Sequence, residues 1–193
     1  MTATTGSLPQ AMQDEFVGVS HGDFDRVSQM LAANPGLVNA VAAWGETPIQ
    51  AATQTANLPI MQLLLTAGAP LDICTASVLG LRDRVTLMLK ADPSLKNATG
   101  AHGIPLLYFP AVVGNQEIAE ILLSHGANPN AGEGGNTPLH GAAVFGQAAM
   151  AEWLLTHGAY HSPLDYEGKT PIDRAREHSH LDVVHALTSH GAI

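Results

Sequence analysis

The chain contains ten histidines, more than its eight lysines and arginines together. Imidazole binds transition metals and transfers protons near neutral pH, so this composition raises the question of a metal or acid-base site. The densest group is His178, His180 and His185. Residues two apart do not share a helix face. We therefore predict that this group is not a metal site.

Three other histidines occupy one position of a repeated pattern. His125, His157 and His190 each precede a Gly-Ala pair. Packed helices lie about 8–10 Å apart, whereas each ligand of a zinc ion lies about 2 Å from the metal. The three side chains are therefore expected in separate repeats, where each imidazole would cap the C-terminus of a helix.

Catalytic chemistry has little support in the sequence. The motifs of serine hydrolases, zinc proteases, P-loop enzymes and dinucleotide-binding enzymes do not occur. Cys74 is the single cysteine and is predicted to be a buried apolar side chain. A triad of His102 or His178 with Asp173 or Glu177 stays open, because triads are recognised by geometry. We predict no enzyme activity, no cofactor and no metal.

A repeated phrase places these residues along the chain. Thr137-Pro138-Leu139-His140 opens a stretch that closes on Gly158-Ala159, and the phrase restarts at Thr170-Pro171. Further copies begin at Thr47-Pro48 and near Pro105. Threonine can cap a helix and proline is tolerated at its first position, so each Thr-Pro predicts a helix start. The closing glycine predicts the end of a second helix.

The phrase resembles the ankyrin repeat, in which T-P-L-H-x-A recurs with a period of about 33 residues, and we identify the chain as a bacterial-type member of that family. The resemblance covers roughly residues 14–193. It implies an all-α repeat solenoid of helix-turn-helix pairs joined by short β-hairpins or loops, here called fingers. It also implies that His140 is structural and bonds to the backbone near a finger.

A second self-similarity links residues 22–40 to residues 80–98. Both copies lack the Thr-Pro start, which indicates duplication of an element of two helix pairs and brings the total to about six pairs. Gly68 and Gly80 lie 12 residues apart, where regular copies have about 21. A finger should therefore be missing around residues 70–72, and the array should be irregular in the middle.

We divide the chain into a flexible N-terminal tail, residues 1–13, and a single repeat domain, residues 14–193. The tail has no hydrophobic periodicity. The approximate repeats of the domain are 14–41, 42–70, 71–98, 99–131, 132–164 and 165–193.

The charge distribution argues against nucleic acid as a partner. The net charge is −9, and residues 97–168 contain no lysine or arginine to neutralise phosphates. The acidic excess serves solubility or steers a basic partner. The sequence lacks both a run of about 20 apolar residues and a secretory signal. We expect a cytoplasmic monomer without membrane contact.

The resemblance implies that the first helix of each pair lines a concave binding face, with two residues near its C-terminus pointing into it. Aromatic residues in the fingers would add contacts, since aromatics concentrate interface energy. The predicted partner-binding residues are Trp44, Gln54, Thr55, Leu79, Val112, Val144, Phe145, Tyr166, Glu177 and His178. Packing between repeats is the alternative role for the apolar ones.

These observations predict a non-catalytic protein-protein interaction module acting as a scaffold, an inhibitor or an immunity protein. The alternative is a small-molecule-binding protein or enzyme with a pocket in the distorted central repeats. That pocket would be lined by His102, Tyr108, Phe109, Val112 and Phe145. Pro110 should distort the first helix of this region, because it replaces a helix-compatible alanine.

Overall fold

A computed structural model describes residues 8–192 of the chain. They fall into two compact units with the boundary between Leu71 and Asp72. Within the described residues all regular structure is helical, with twelve α-helices and three short 3-10 helices. The predicted all-α fold of six helix pairs is confirmed.

The first unit contains two helix pairs in two layers. Its helices are α1 (Gln10–Val19), α2 (Phe24–Ala33), α3 (Pro48–Gln54) and α4 (Leu58–Thr66), with a 3-10 turn at Pro35–Asn39. The first helices of the pairs, α1 and α3, pack on each other, and so do the second helices, α2 and α4. Each pair also packs internally, so every helix buries its apolar side against two others.

Helix α1 begins at Gln10, so residues 10–13 are helical and do not belong to a tail. Residues 1–7 of that predicted tail lie outside the described residues. Side chains of α1 bond to the backbone before α3: Gln10 donates to the Val41 carbonyl at 2.9 Å, and Asp14 accepts from the Ala43 N–H at 2.7 Å. These polar contacts join segments that are distant in the sequence, and they hold the first turn of α1. Hydrophobic periodicity therefore did not predict that this turn is helical.

The second unit contains four helix pairs. The helices are α5 (Ile73–Val78), α6 (Arg82–Ala91), α7 (Tyr108–Val112), α8 (Gln116–Ser124), α9 (Pro138–Val144), α10 (Ala148–Thr156), α11 (Pro171–Glu177) and α12 (Leu181–Ser189). Two 3-10 turns lie at Pro93–Asn97 and Ala101–Gly103. The first helices pack in the order α5, α7, α9, α11, while α6 packs on α8 and α10 on α12.

The last two repeats keep the same register throughout. Helices α9 and α11 each begin at a proline preceded by a capping threonine, and the hydroxyls of Thr137 and Thr170 accept the backbone N–H three residues on. Helices α10 and α12 end at equivalent positions, Thr156 and Ser189. The predicted Thr-Pro helix starts are confirmed at these positions and at Thr47.

The predicted duplication is also present. When residues 22–40 are aligned with residues 80–98, helices α2 and α6 begin and end at equivalent positions, as do α4 and α8 and the 3-10 turns that follow α2 and α6. Asn34 and Asp92, which precede those turns, have nearly equal dihedral angles of −139°, 82° and −140°, 95°. The duplicated element therefore preserves backbone conformation although its side chains differ.

The predicted missing finger is confirmed by loop length. Only residues 67–72 separate α4 from α5, whereas residues 125–137 separate α8 from α9. Two of the other fingers close with the same backbone bond, from the Ala42 N–H to the Glu46 carbonyl and from the Asp165 N–H to the Lys169 carbonyl, both at 2.9 Å.

Helix α7 has only five residues and lacks a side-chain cap. Pro110 has no N–H to donate to the Leu106 carbonyl, so the chain before it forms tighter bonds, from Tyr108 to Pro105 at 3.0 Å and from Phe109 to Leu106 at 3.2 Å. The predicted distortion is therefore present, and it shortens the helix at its N-terminal end.

Candidate protein-binding surface

The three histidines before Gly-Ala pairs cap their helices, as predicted. Their Nδ1 atoms lie 2.8, 2.7 and 3.0 Å from the carbonyl oxygens four residues earlier, for His125, His157 and His190 respectively. Each of these carbonyls lies in the last turn of its helix, and those of Ile121 and Trp153 also accept the backbone N–H of the same histidine. The imidazoles are therefore parts of helix ends.

His140 is buried and joins two repeats. Its Nε2 donates to the Lys169 carbonyl at 3.1 Å, and its Nδ1 lies 2.9 Å from the Thr137 hydroxyl. Because a carbonyl only accepts, Nε2 carries the proton and the neutral ring accepts the threonine proton at Nδ1. Burial lowers the pKa of His140 and outweighs the hydrogen bond to Lys169, which raises it. The predicted structural role is confirmed.

The candidate catalytic groups are engaged elsewhere. The Asp173 carboxylate accepts from the Thr170 hydroxyl at 2.6 Å, and Glu177 accepts from Arg174 at 3.2 Å. Burial raises the pKa of the Cys74 thiol, so it stays protonated. Within residues 8–192, no group of three or more His, Cys, Asp and Glu side chains is arranged to hold a metal ion.

Val112 is a packing residue, and its assignment to the partner-binding set is corrected. Its exposed fraction is 1%, and it lies where α7 packs on α9. Gly141 makes this approach possible, since a Cβ there would lie 2.8 Å from the Tyr108 ring and 3.1 Å from Val112. The sequence signal for this packing was Gly141 itself, because a glycine inside a predicted helix indicates the close approach of a neighbour.

The other predicted positions on the first helices are accessible to different degrees. Leu79, Val144 and Phe145 are half-buried, and Glu177 and His178 are exposed. In the first unit Gln54 and Thr55 are half-buried. The Thr55 hydroxyl donates to the His21 carbonyl at 2.8 Å, so this side chain also holds α3 to the turn after α1.

The finger of the first unit presents Trp44, which is 49% exposed. Its indole N–H donates to the buried carboxylate of Glu46 at 2.9 Å, and the other oxygen of that carboxylate lies 3.5 Å from His21 Nε2. One edge of the indole is thereby fixed while its remainder faces solvent.

The finger of the last repeat presents Tyr166, which is 68% exposed. Below it the Asp165 carboxylate is fully buried and accepts two bonds from Arg174, both at 2.6 Å. Asp165 also accepts the backbone N–H groups of Glu167 and Lys169 at 2.8 and 3.0 Å. The Arg174 guanidinium lies 5.8 Å from the centre of the Tyr166 ring.

The charges at this finger hold its conformation. Burial alone would raise the pKa of Asp165, but the backbone donors and Arg174 hold that pKa below its usual range. Arg174 also pairs with Glu167 and Glu177 at 3.2 Å each. A buried carboxylate with four donors fixes the backbone that carries Tyr166.

Sequence reasoning missed three large apolar side chains that are exposed within residues 160–181. Leu181 is 75% exposed at the first position of α12, while Tyr160 and Leu164 are 60% and 52% exposed in the loop before the last finger. Tyr160 and Leu164 interrupt a polar loop, which was the available signal. They extend the exposed apolar area of the loop that leads to Tyr166.

The residues proposed to line a small-molecule pocket differ in their exposure to solvent. Tyr108 and Phe109 are buried with their rings 5.8 Å apart at 80°, and burial raises the pKa of Tyr108 to about 12. His102 lies on an exposed turn at a positive φ of 57°. Tyr108 and Phe109 therefore fill the interior of the second unit.

The described helices are all too short or too polar to cross a membrane.

Comparison with known families agrees with this architecture. A model of three consecutive ankyrin repeats matches residues 73–165 and 135–193, and a single-repeat model matches residues 44–76. The chain belongs to the ankyrin-repeat family.

Its curated relatives include cyclin-dependent kinase 4 inhibitor B of Rattus norvegicus, 32% identical over 132 residues that cover 65% of this chain and 98% of the relative. The protein of the same name from Mus musculus is 31% identical over 123 residues, covering 60% and 92%. Cyclin-dependent kinase inhibitor 2A of Homo sapiens is 32% identical over 119 residues, covering 60% and 74%. The chain is accordingly a protein-interaction protein.

Proposed function

We propose that the chain is a non-catalytic inhibitor that binds a folded protein partner through the finger of its last repeat. The observation that carries this proposal is the exposed Tyr166 ring above the buried pair of Asp165 and Arg174. A tyrosine offers a large contact area at low cost in conformational entropy, and a fixed backbone lowers that cost further.

Trp44 supports a second contact in the first unit. Tryptophan is enriched among the residues that dominate binding energy, and the bond to Glu46 limits its rotation. The half-buried Leu79, Val144 and Phe145 and the exposed His178 would add smaller contacts. Glu177 would contribute by holding the finger and not by direct contact, because it pairs with Arg174.

Two of the relatives suggest the first partner to test, because their name describes inhibitors of cyclin-dependent kinase 4. Action as a monomer, exclusion of nucleic acid and a cytoplasmic location stay predictions from the sequence.

The test is a titration of the full chain against purified cyclin-dependent kinase 4, with calorimetry for binding and a kinase assay for inhibition. Tyr166→Ala should weaken binding at least about tenfold, since truncation of an interface hot spot costs about 2 kcal/mol or more. Leu87→Ala is the matched control, because Leu87 is also exposed but lies on the second helix α6. It should leave the affinity unchanged.

Two results would contradict different parts of the proposal. If the kinase is not bound, that partner is wrong, and the same variants are compared by affinity capture from the native host. If the affinity for a bound partner is equal for the wild type and Tyr166→Ala, the finger is not the docking site.

A further inference from the structure

Two neighbouring junctions between fingers in the second unit differ in one hydrogen-bonded bridge. At the later junction the Asn130 side chain donates to the Gly158 carbonyl at 2.9 Å and accepts from the Tyr160 N–H at 2.7 Å. One amide thus closes the gap between two successive loops.

The earlier junction lacks this bridge. Asn97-Ala98 corresponds there to Asn130-Ala131, and Gly126 and Asn128 correspond to Gly158 and Tyr160. Asn97 is exposed and forms no such bond to either loop residue within the described chain. A cavity of about 220 Å³ occupies the place, between the 3-10 turn before α7 and the loop after α8.

The cavity combines one cation with neutral polar groups and apolar walls. The polar residues of its lining include Lys96, Asn97, Thr99 and Asn128, and Leu106 and Ala131 belong to the apolar lining. The Lys96 Nζ atom lies over Gly126, 3.3 Å from where a Cβ would stand. No carboxylate of residues 8–192 pairs with Lys96, so its ammonium can pair with a ligand.

We propose that this cavity binds a small monocarboxylate with a short apolar or polar tail. An ammonium with adjacent amide donors suits a carboxylate. Residues 97–168 supply no second lysine or arginine, which argues against a phosphate dianion. The volume equals about seven liquid waters of roughly 30 Å³ each, so the ligand is smaller than a drug-sized molecule.

The proposal goes beyond the protein-binding function and does not depend on it. It also relocates the small-molecule hypothesis, because the distorted central region does contain a cavity. That cavity lies on the finger side and is lined by Lys96 and Asn128, whereas Tyr108 and Phe109 are buried in the helical layers.

The test is a titration of the isotope-labelled full chain with sodium propionate, followed by amide chemical shifts. Saturable shifts should be confined to residues 96–107 and 127–132. Propionamide, which has the same shape without the charge, and sodium chloride at equal ionic strength should not reproduce them. Inorganic phosphate should bind at least about tenfold more weakly than propionate.

Two variants and one control variant test the assignment of residues. Lys96→Gln should weaken propionate binding at least about tenfold, whereas Lys90→Gln, a lysine of α6 outside the cavity, should not change it. Ala131→Leu should block binding by filling the cavity, and the amide spectrum outside the loop reports whether the fold is kept.

The proposal is overturned if propionate and propionamide give the same shifts, or if shifts are spread over the whole chain. It is also overturned if Lys96→Gln and Lys90→Gln bind propionate equally. Tighter binding of phosphate than of propionate would replace the monocarboxylate by a phosphate ligand and so would contradict the class proposed here.

Discussion

The second unit contains two halves that reach the same helix-pair architecture by different interactions. In the regular half, residues 132–192, threonine caps fix the helix starts, His140 bonds to the next repeat, and the Asp165–Arg174 pair fixes the last finger. In the irregular half, residues 72–131, α7 has no side-chain cap, and buried Tyr108 and Phe109 pack against neighbouring backbone. At α7, apolar packing thus takes the place of the polar bonds that fix the first helices of the regular half.

The largest expected change in the free energy of unfolding follows from loss of the buried ion pair between Asp165 and Arg174 in the regular half. Arg174→Ala leaves the Asp165 carboxylate buried without its cation, which should lower the free energy of unfolding by about 3 kcal/mol. The matched variant in the irregular half is Arg82→Ala, which breaks an exposed pair with Glu117. It should cost less than about 1 kcal/mol. Urea denaturation measures both, and equal losses would contradict the contrast between the halves.

The second largest change in stability is expected where Tyr108 packs against Gly141. Gly141→Ala places a Cβ 2.8 Å from the Tyr108 ring, and this overpacking should cost about 2 kcal/mol. Gly18→Ala in α1 is the control, because no heavy atom lies within 4 Å of its Cβ. That change should stabilise the chain by about 0.5 kcal/mol through helix propensity. Stabilisation by both substitutions would show that Tyr108 is free to move.

A third, smaller change in stability is expected from substitutions in the turns between the paired helices of the last two repeats. Ser179 has a positive φ of 60°, where regular copies have glycine, so Ser179→Gly should stabilise the chain by about 0.5–1 kcal/mol. Gly146→Ala, at the same place one repeat earlier, should destabilise it, because the Cβ would lie 2.8 Å from His180. Thermal unfolding measures the two shifts, which are expected to have opposite signs.

The smallest effect is a pH dependence of the bridge between the two regular repeats. Because the pKa of His140 is lower in the folded chain, the unfolded chain binds more protons, and stability falls as the pH drops below about 6.5. His140→Gln should reduce this loss, and Gln50 shows that glutamine accepts the threonine N–H at the same position. Urea midpoints at pH 7.5 and 5.5 test this. An unchanged difference between the two midpoints would assign the pH dependence to other groups.

Local chemistry explains which features the sequence predicted. Thr-Pro starts and the histidine caps were predictable, because the partner of each group lies three or four residues away. The first turn of α1, residues 10–13, was not, since Gln10 and Asp14 bond to backbone that lies beyond the next helix in the sequence. The burial of Val112 depends on Gly141 in the next repeat, and the cavity beside Lys96 depends on a bridge that Asn97 does not form. Predicting either the burial or the cavity requires distances between residues of neighbouring repeats, which a single sequence does not contain.

The correspondence between the duplicated elements has a consequence for how such an array can grow. Helix boundaries and turn conformations agree from α2 to α4 and from α6 to α8, apart from the start of α7. The duplicated element is thus a couplet of two consecutive helix pairs. Lengthening by a whole couplet would therefore repeat backbone connections and loop lengths that already occur in this chain.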